Sequence, residues 1–170
     1  MAVGRWMLLA LMVLAGPLLW WAGVADTTTA AYAAVAPGDA DGRYFISNYD
    51  GPGRTIAGFF AFFNLLLIAV LMPTARQLHT MRPGTFVRAG VTAVLALGLA
   101  WFEFVFDPVT ANWGGDPDAW SMVDDHVASW YDGFATTWFA LTAATSAAIA
   151  TAAFAAALWA ARARRRRAVR

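Results

Sequence analysis

The chain has no cysteine, no lysine and only two histidines, and charged residues occupy 14% of its 170 positions. Each shortage excludes something. Without cysteine there is no disulfide staple, thiolate metal site, thioether lipid anchor or c-type haem attachment. The histidines, His79 and His126, fall outside every apolar run. They cannot supply the paired axial ligands of a b-type haem, so neither haem b nor haem c is expected. Soluble domains carry roughly a quarter charged residues, so a soluble globule of this length would lack polar surface. A net charge of +1 gives none of the basic excess of a nucleic-acid binder. The twelve basic residues are all Arg in an Ala-rich chain with four Ile, a composition that reads as the coding bias of a high-GC genome.

What is present is apolar. Hydrophobic residues make up 60% of the chain, with 9 Trp, 12 Phe and 4 Tyr. A membrane span needs about 20 such residues, and four runs qualify: 6–25, 55–73, 86–106 and 133–161. These predict an all-α polytopic membrane protein, organised as a single membrane domain over 1–170. Segments 26–54 and 107–132 connect the runs on one side, and a short loop, 74–85, on the other. The first run reads as a retained span rather than a cleaved leader. It is longer than the roughly 7–15 apolar residues of a secretory signal and closes with Trp20-Trp21, an aromatic pair expected at the membrane interface.

Orientation follows from the arginines. Arg5, Arg76, Arg82, Arg88 and the basic tail 162–170 account for ten of the twelve, and only Arg43 and Arg54 fall on the other side. The positive-inside rule then places both termini in the cytoplasm, in the plasma membrane of a bacterium or archaeon. The tail is expected to sit at anionic headgroups. All eleven acids lie in, or at the end of a span next to, the segments 26–54 and 107–132, which makes the outer face acidic.

Several residues stand out within the spans. The fourth repeats alanine every four residues, from Ala140 through Ala144, Ala148, Ala152 and Ala156 to Ala160, beside Ala143, Ala147, Thr151 and Ala155. Small residues let helices approach closely in lipid, so this stripe is expected to pack within the chain or against other membrane subunits or a second copy. Gly16-Pro17 predicts a kink in the first span. Asn64, mid-span, predicts an interhelical hydrogen bond.

The chemistry-bearing residues concentrate on the outer side. Glu103 and Asp107 are four apart, on one helical face. Ser121-Met-Val-Asp124 has the form of a capping box, and a helix from there would run through Asp125, His126, Trp130 and Tyr131 toward the fourth span. Glu103, Asp107, Asp125 and His126 together offer oxygen and imidazole ligands to a metal ion such as Zn, Cu, Mn or Fe, although no spacing demands one. His79 reads as an interfacial side chain. There is no phosphate loop, nucleophile elbow or internal repeat. The reading favoured is a small accessory or assembly subunit of a membrane complex, in contact with the lipid bilayer, whose contact surfaces are the fourth span and an acidic outer face rich in aromatics (Trp113, Trp120, Trp130, Tyr131, Phe134 and Trp138). Two alternatives are a membrane enzyme or metal-site subunit using those four residues, and an oligomeric transporter or channel with Asn64 on its path.

Overall fold

The computed structural model describes residues 3–77, 82–110 and 117–168. Of these, 89% are helical and none forms a strand. The helices are α1 (Val3–Ala34), α2 (Ala40–Gln77), α3 (Pro83–Val105), α4 (Pro117–Asp124) and α5 (Tyr131–Ala168). Four contain stretches long and apolar enough to cross a membrane: Trp6–Ala34, Ala40–Gln77, Pro83–Val105 and Tyr131–Arg166. The protein is thus an all-α, multi-pass membrane protein. Large apolar side chains such as Leu18, Phe59, Leu95 and Trp159 stand exposed on these helices, where a bilayer would solvate them.

The helices run further than the expected spans. Segment 26–54 is itself mostly helical: α1 continues to Ala34, and α2 begins at Ala40. The chain reverses over Ala36-Pro37-Gly38-Asp39, where the Asp39 N–H donates to the Ala36 carbonyl at 3.1 Å. Gly38 takes φ +101°. Proline followed by a positive-φ glycine is the chemistry of a type II turn. Asp39 then caps α2, its Oδ1 accepting the Gly42 N–H at 2.9 Å. Gly51-Pro52-Gly53 lies inside α2 rather than breaking it.

The expected capping box also needs correction. Ser121 lies inside α4, which starts instead at Pro117, a residue suited to a first helical position because its missing N–H would have had no partner there. After Asp124 the chain turns. The amides of His126, Val127 and Tyr131 each donate to the carbonyl three residues back, so the helix does not run on into α5. His79, Asn112, Trp113, Gly114, Gly115, Asp116 and Arg170 lie outside the described residues.

The chain forms two compact units. One comprises Met1–Leu14, Asn64–Trp101 and Phe139–Arg170; the other comprises Ala15–Phe63 and Phe102–Trp138. The first holds ten of the twelve arginines and no acid, and the second all eleven acids with Arg43 and Arg54. We call them the basic and acidic units.

The basic unit has a core of modest side chains. Trp6, Leu9 and Val13 of α1 pack with Leu67 and Leu71 of α2, with Phe86, Ala89, Ala93 and Ala96 of α3, and with Ile149, Ala150, Ala153 and Ala157 of α5. Alanines on facing helices let backbones approach, so dispersion does the work that hydrophobic expulsion cannot do in lipid. Gly90 makes room in the same way: a Cβ there would meet the Phe154 ring at 2.8 Å. Asn64 is buried in this unit and engaged by a neighbouring group.

Candidate functional site

The acidic unit is organised around buried polar groups. On α1, Gly16, Trp20, Gly23 and Thr27 are spaced four, three and four residues apart, which sets them on one helical face. All four are buried. From α5, Tyr131 and Trp138 lie seven apart on one face, and both are buried. α3 contributes Glu103, with Asp107 just beyond its end, and α2 contributes Tyr49.

Trp20 and Glu103 are both fully buried, and the Trp20 indole N–H donates to Glu103 Oε2 at 3.2 Å. The Trp20 ring meets Trp138 edge to face, with centroids 5.2 Å apart, and Tyr131 at 6.1 Å. Edge-to-face contact sets a positive ring edge against a negative ring face and adds to the packing. Two glycines make the approach feasible. A Cβ on Gly16 would lie 2.5 Å from Trp138 and 2.8 Å from Glu103 Oε2; on Gly23 it would lie 2.5 Å from the Tyr131 ring and 2.7 Å from Val109. Gly16 thus has a packing role beyond the kink expected of Gly16-Pro17.

Asp107 is the hub of the second half. Its Oδ1 accepts the Val109 N–H at 2.8 Å and the Tyr131 hydroxyl at 2.5 Å, and its Oδ2 accepts the Thr110 hydroxyl at 3.0 Å. The bond to the amide two residues on is an Asx-type turn. The Val109 carbonyl in turn accepts the Tyr49 hydroxyl at 3.0 Å. Residues 107–110 are therefore held by one tyrosine from α2 and one from α5. Burial pushes the Asp107 carboxyl above its ordinary value, against the opposing pull of the Tyr131, Val109 and Thr110 donors.

More exposed contacts surround this centre. Asp50 accepts from Arg54 at 2.7 Å and from the Thr28 hydroxyl at 3.0 Å, and the Arg54 guanidinium lies 5.5 Å from the centre of the Trp21 ring. The Trp130 indole donates to Asp26 at 2.9 Å.

Of the four expected metal ligands, Glu103 and Asp107 belong to this cluster, each already accepting hydrogen bonds. Asp125 is exposed in the turn after α4, and His126, partly exposed, has Nδ1 3.2 Å from the Met122 carbonyl. Among the described residues, no three His, Cys, Asp or Glu side chains lie close enough together to hold a metal ion. The carboxylates here act as acceptors that tie helices together.

Trp20, Tyr49, Tyr131 and Trp138 complete the cluster: Tyr49 carries no signal in the sequence, and Tyr131 and Trp138 stand out there only as outer-face aromatics. Trp20 was expected at the membrane interface with Trp21, yet Trp20 is buried while Trp21 is 46% exposed. The available signal was the spacing of glycine and aromatic residues on one face of α1. No protein-family model, curated protein or solved structure matches the chain.

Proposed function

We propose that the protein is an accessory or assembly subunit of a membrane complex, presenting one face of α5 to other membrane subunits or to a second copy of itself. One observation carries this reading. The core of the basic unit uses the α5 face of Ile149, Ala150, Ala153 and Ala157. Ala144, Ala148, Thr151 and Ala155 are exposed on the other side of the helix, while Ala156 and Ala160 are used in packing, so the N-terminal half of the alanine stripe is left over after the chain has packed. Exposed leucine or phenylalanine would suit lipid contact equally well. A run of small side chains instead offers a shallow groove into which another helix fits closely. The acidic unit supports the same reading, since its buried carboxylates are committed to holding the fold.

The distribution of arginines orients the molecule with both termini and the basic tail toward the cytoplasm, in a bacterial or archaeal plasma membrane. Native mass spectrometry after gentle detergent extraction tests the subunit reading. A homo-oligomer or a partner of fixed stoichiometry is expected, weakened by Ala144→Leu with Ala148→Leu. Both positions are exposed, so the monomer should fold unchanged. A monomer without partners, unaffected by these substitutions, would exclude the proposal.

A further inference from the structure

At the start of α3 in the basic unit, Arg82 and Arg88 line a cleft of about 610 Å³ together with Arg164 of α5. Gln77 and Thr85 add an amide and a hydroxyl to the same wall. Three guanidinium groups around one cleft repel one another, and the usual remedy is a neighbouring carboxylate. None is available within this unit, because its residues include no Asp or Glu. Among the described residues, none of the three arginines is in an ion pair. Arg88 carries its charge inside a helix apolar enough to cross a membrane, where an uncompensated cation is costly and must reach a polar phase or a counter-anion.

We propose that this cleft binds a phosphate group of net negative charge, supplied by the headgroup of an anionic phospholipid or by free phosphate. The guanidinium fork matches two phosphate oxygens at once, and such charge-assisted bonds are roughly twice as strong as neutral ones. The cleft falls within the roughly 300–1,000 Å³ range of small-ligand sites. Its charge selects an anionic headgroup over a zwitterionic one. The site is distinct from the general attraction of the tail, because it needs particular arginines from two elements rather than a count of positive charges.

The full chain in detergent can be titrated with phosphatidylglycerol, with phosphatidylcholine and with inorganic phosphate, bound species being read by native mass spectrometry. Two variants of equal charge separate a site from a charged surface: Arg88→Gln with Arg164→Gln in the cleft, and Arg165→Gln with Arg166→Gln outside its lining. All four side chains are exposed, and equal unfolding temperatures would verify the fold. The cleft variant should bind phosphatidylglycerol about tenfold more weakly than the tail variant, the loss expected on removing at least one charge-assisted hydrogen bond. Displacement of phosphatidylglycerol by inorganic phosphate would identify the free ion as a sufficient ligand; retention against it would identify the lipid headgroup. Equal weakening in the two variants, or equal binding of phosphatidylglycerol and phosphatidylcholine by the unmodified chain, would overturn the proposal.

Discussion

Asp107 gathers an amide and two hydroxyls, and removing it would orphan the two buried donors, the Val109 amide and the Tyr131 hydroxyl, while the exposed Thr110 can turn to water. Asp107→Ala should therefore cost roughly 2–3 kcal/mol, the penalty for leaving buried donors unpaired. Asp107→Asn, which keeps an acceptor oxygen, should cost less. The pH dependence has a definite sign. A carboxyl raised above its unfolded value favours the folded state while protonated. Its contribution is full below the ordinary carboxylate value and declines as pH rises through the raised native value. Asparagine mimics the protonated form, so Asp107→Asn should remove that part of the slope. Thermal unfolding of the three proteins in detergent across acidic to neutral pH checks both points. This role was only half legible in the sequence. The four-residue spacing of Glu103 and Asp107 showed that they share a face, but not that tyrosines and a tryptophan would occupy their oxygens, because those partners are remote along the chain.

At the scale of elements, the buried positions of each long helix alternate by threes and fours. In α1 they include Trp6, Leu9, Val13, Gly16, Trp20, Gly23, Thr27 and Ala31, the repeat of a helix seam. Hydropathy revealed the spans but hid these seams, because in a membrane both faces of a helix are apolar. In α1 the inward face gathers Gly16, Trp20, Gly23, Thr27 and Ala31 while Leu8, Leu11 and Leu18 are exposed; elsewhere leucines such as Leu67 and Leu71 are buried and Phe59 and Trp159 exposed, so residue type alone does not mark the seam. The ends of the helices escaped for another reason: the expected spans stopped at the charged residues Asp26 and Arg54, whereas the helices run past them and one Pro37-Gly38 turn suffices to connect the two. The seam makes a differential prediction for glycine. Gly16→Ala should destabilise by about 1–3 kcal/mol, as overpacking does, because its Cβ would collide with Trp138 and Glu103. Gly58→Ala in α2, with nothing within 4 Å of the added Cβ, should be neutral or slightly stabilising through helix propensity. Unfolding temperatures of the two variants give the comparison, and equal losses would contradict the assigned seam.

Across the whole molecule, scarce charge is partitioned rather than spread. Every acid falls in one compact unit and ten of twelve arginines in the other. Large apolar side chains remain exposed on the helices that carry the spans. If the arginines set the topology, reporters fused near Asp41 and near His79 must report opposite compartments, His79 on the cytoplasmic side; the same compartment for both would remove the orientation. If the exposed face of α5 meets another subunit, as proposed, the absence of cysteine makes a clean measurement of that contact available. Ala148→Cys on that face and Leu95→Cys on an exposed position of α3 each introduce a single thiol. Labelled with a thiol-anchored photocrosslinker in native membranes and illuminated, Ala148→Cys should give one discrete cross-linked species and Leu95→Cys none. No adduct at position 148, or the same adducts from both positions, would contradict the proposed contact.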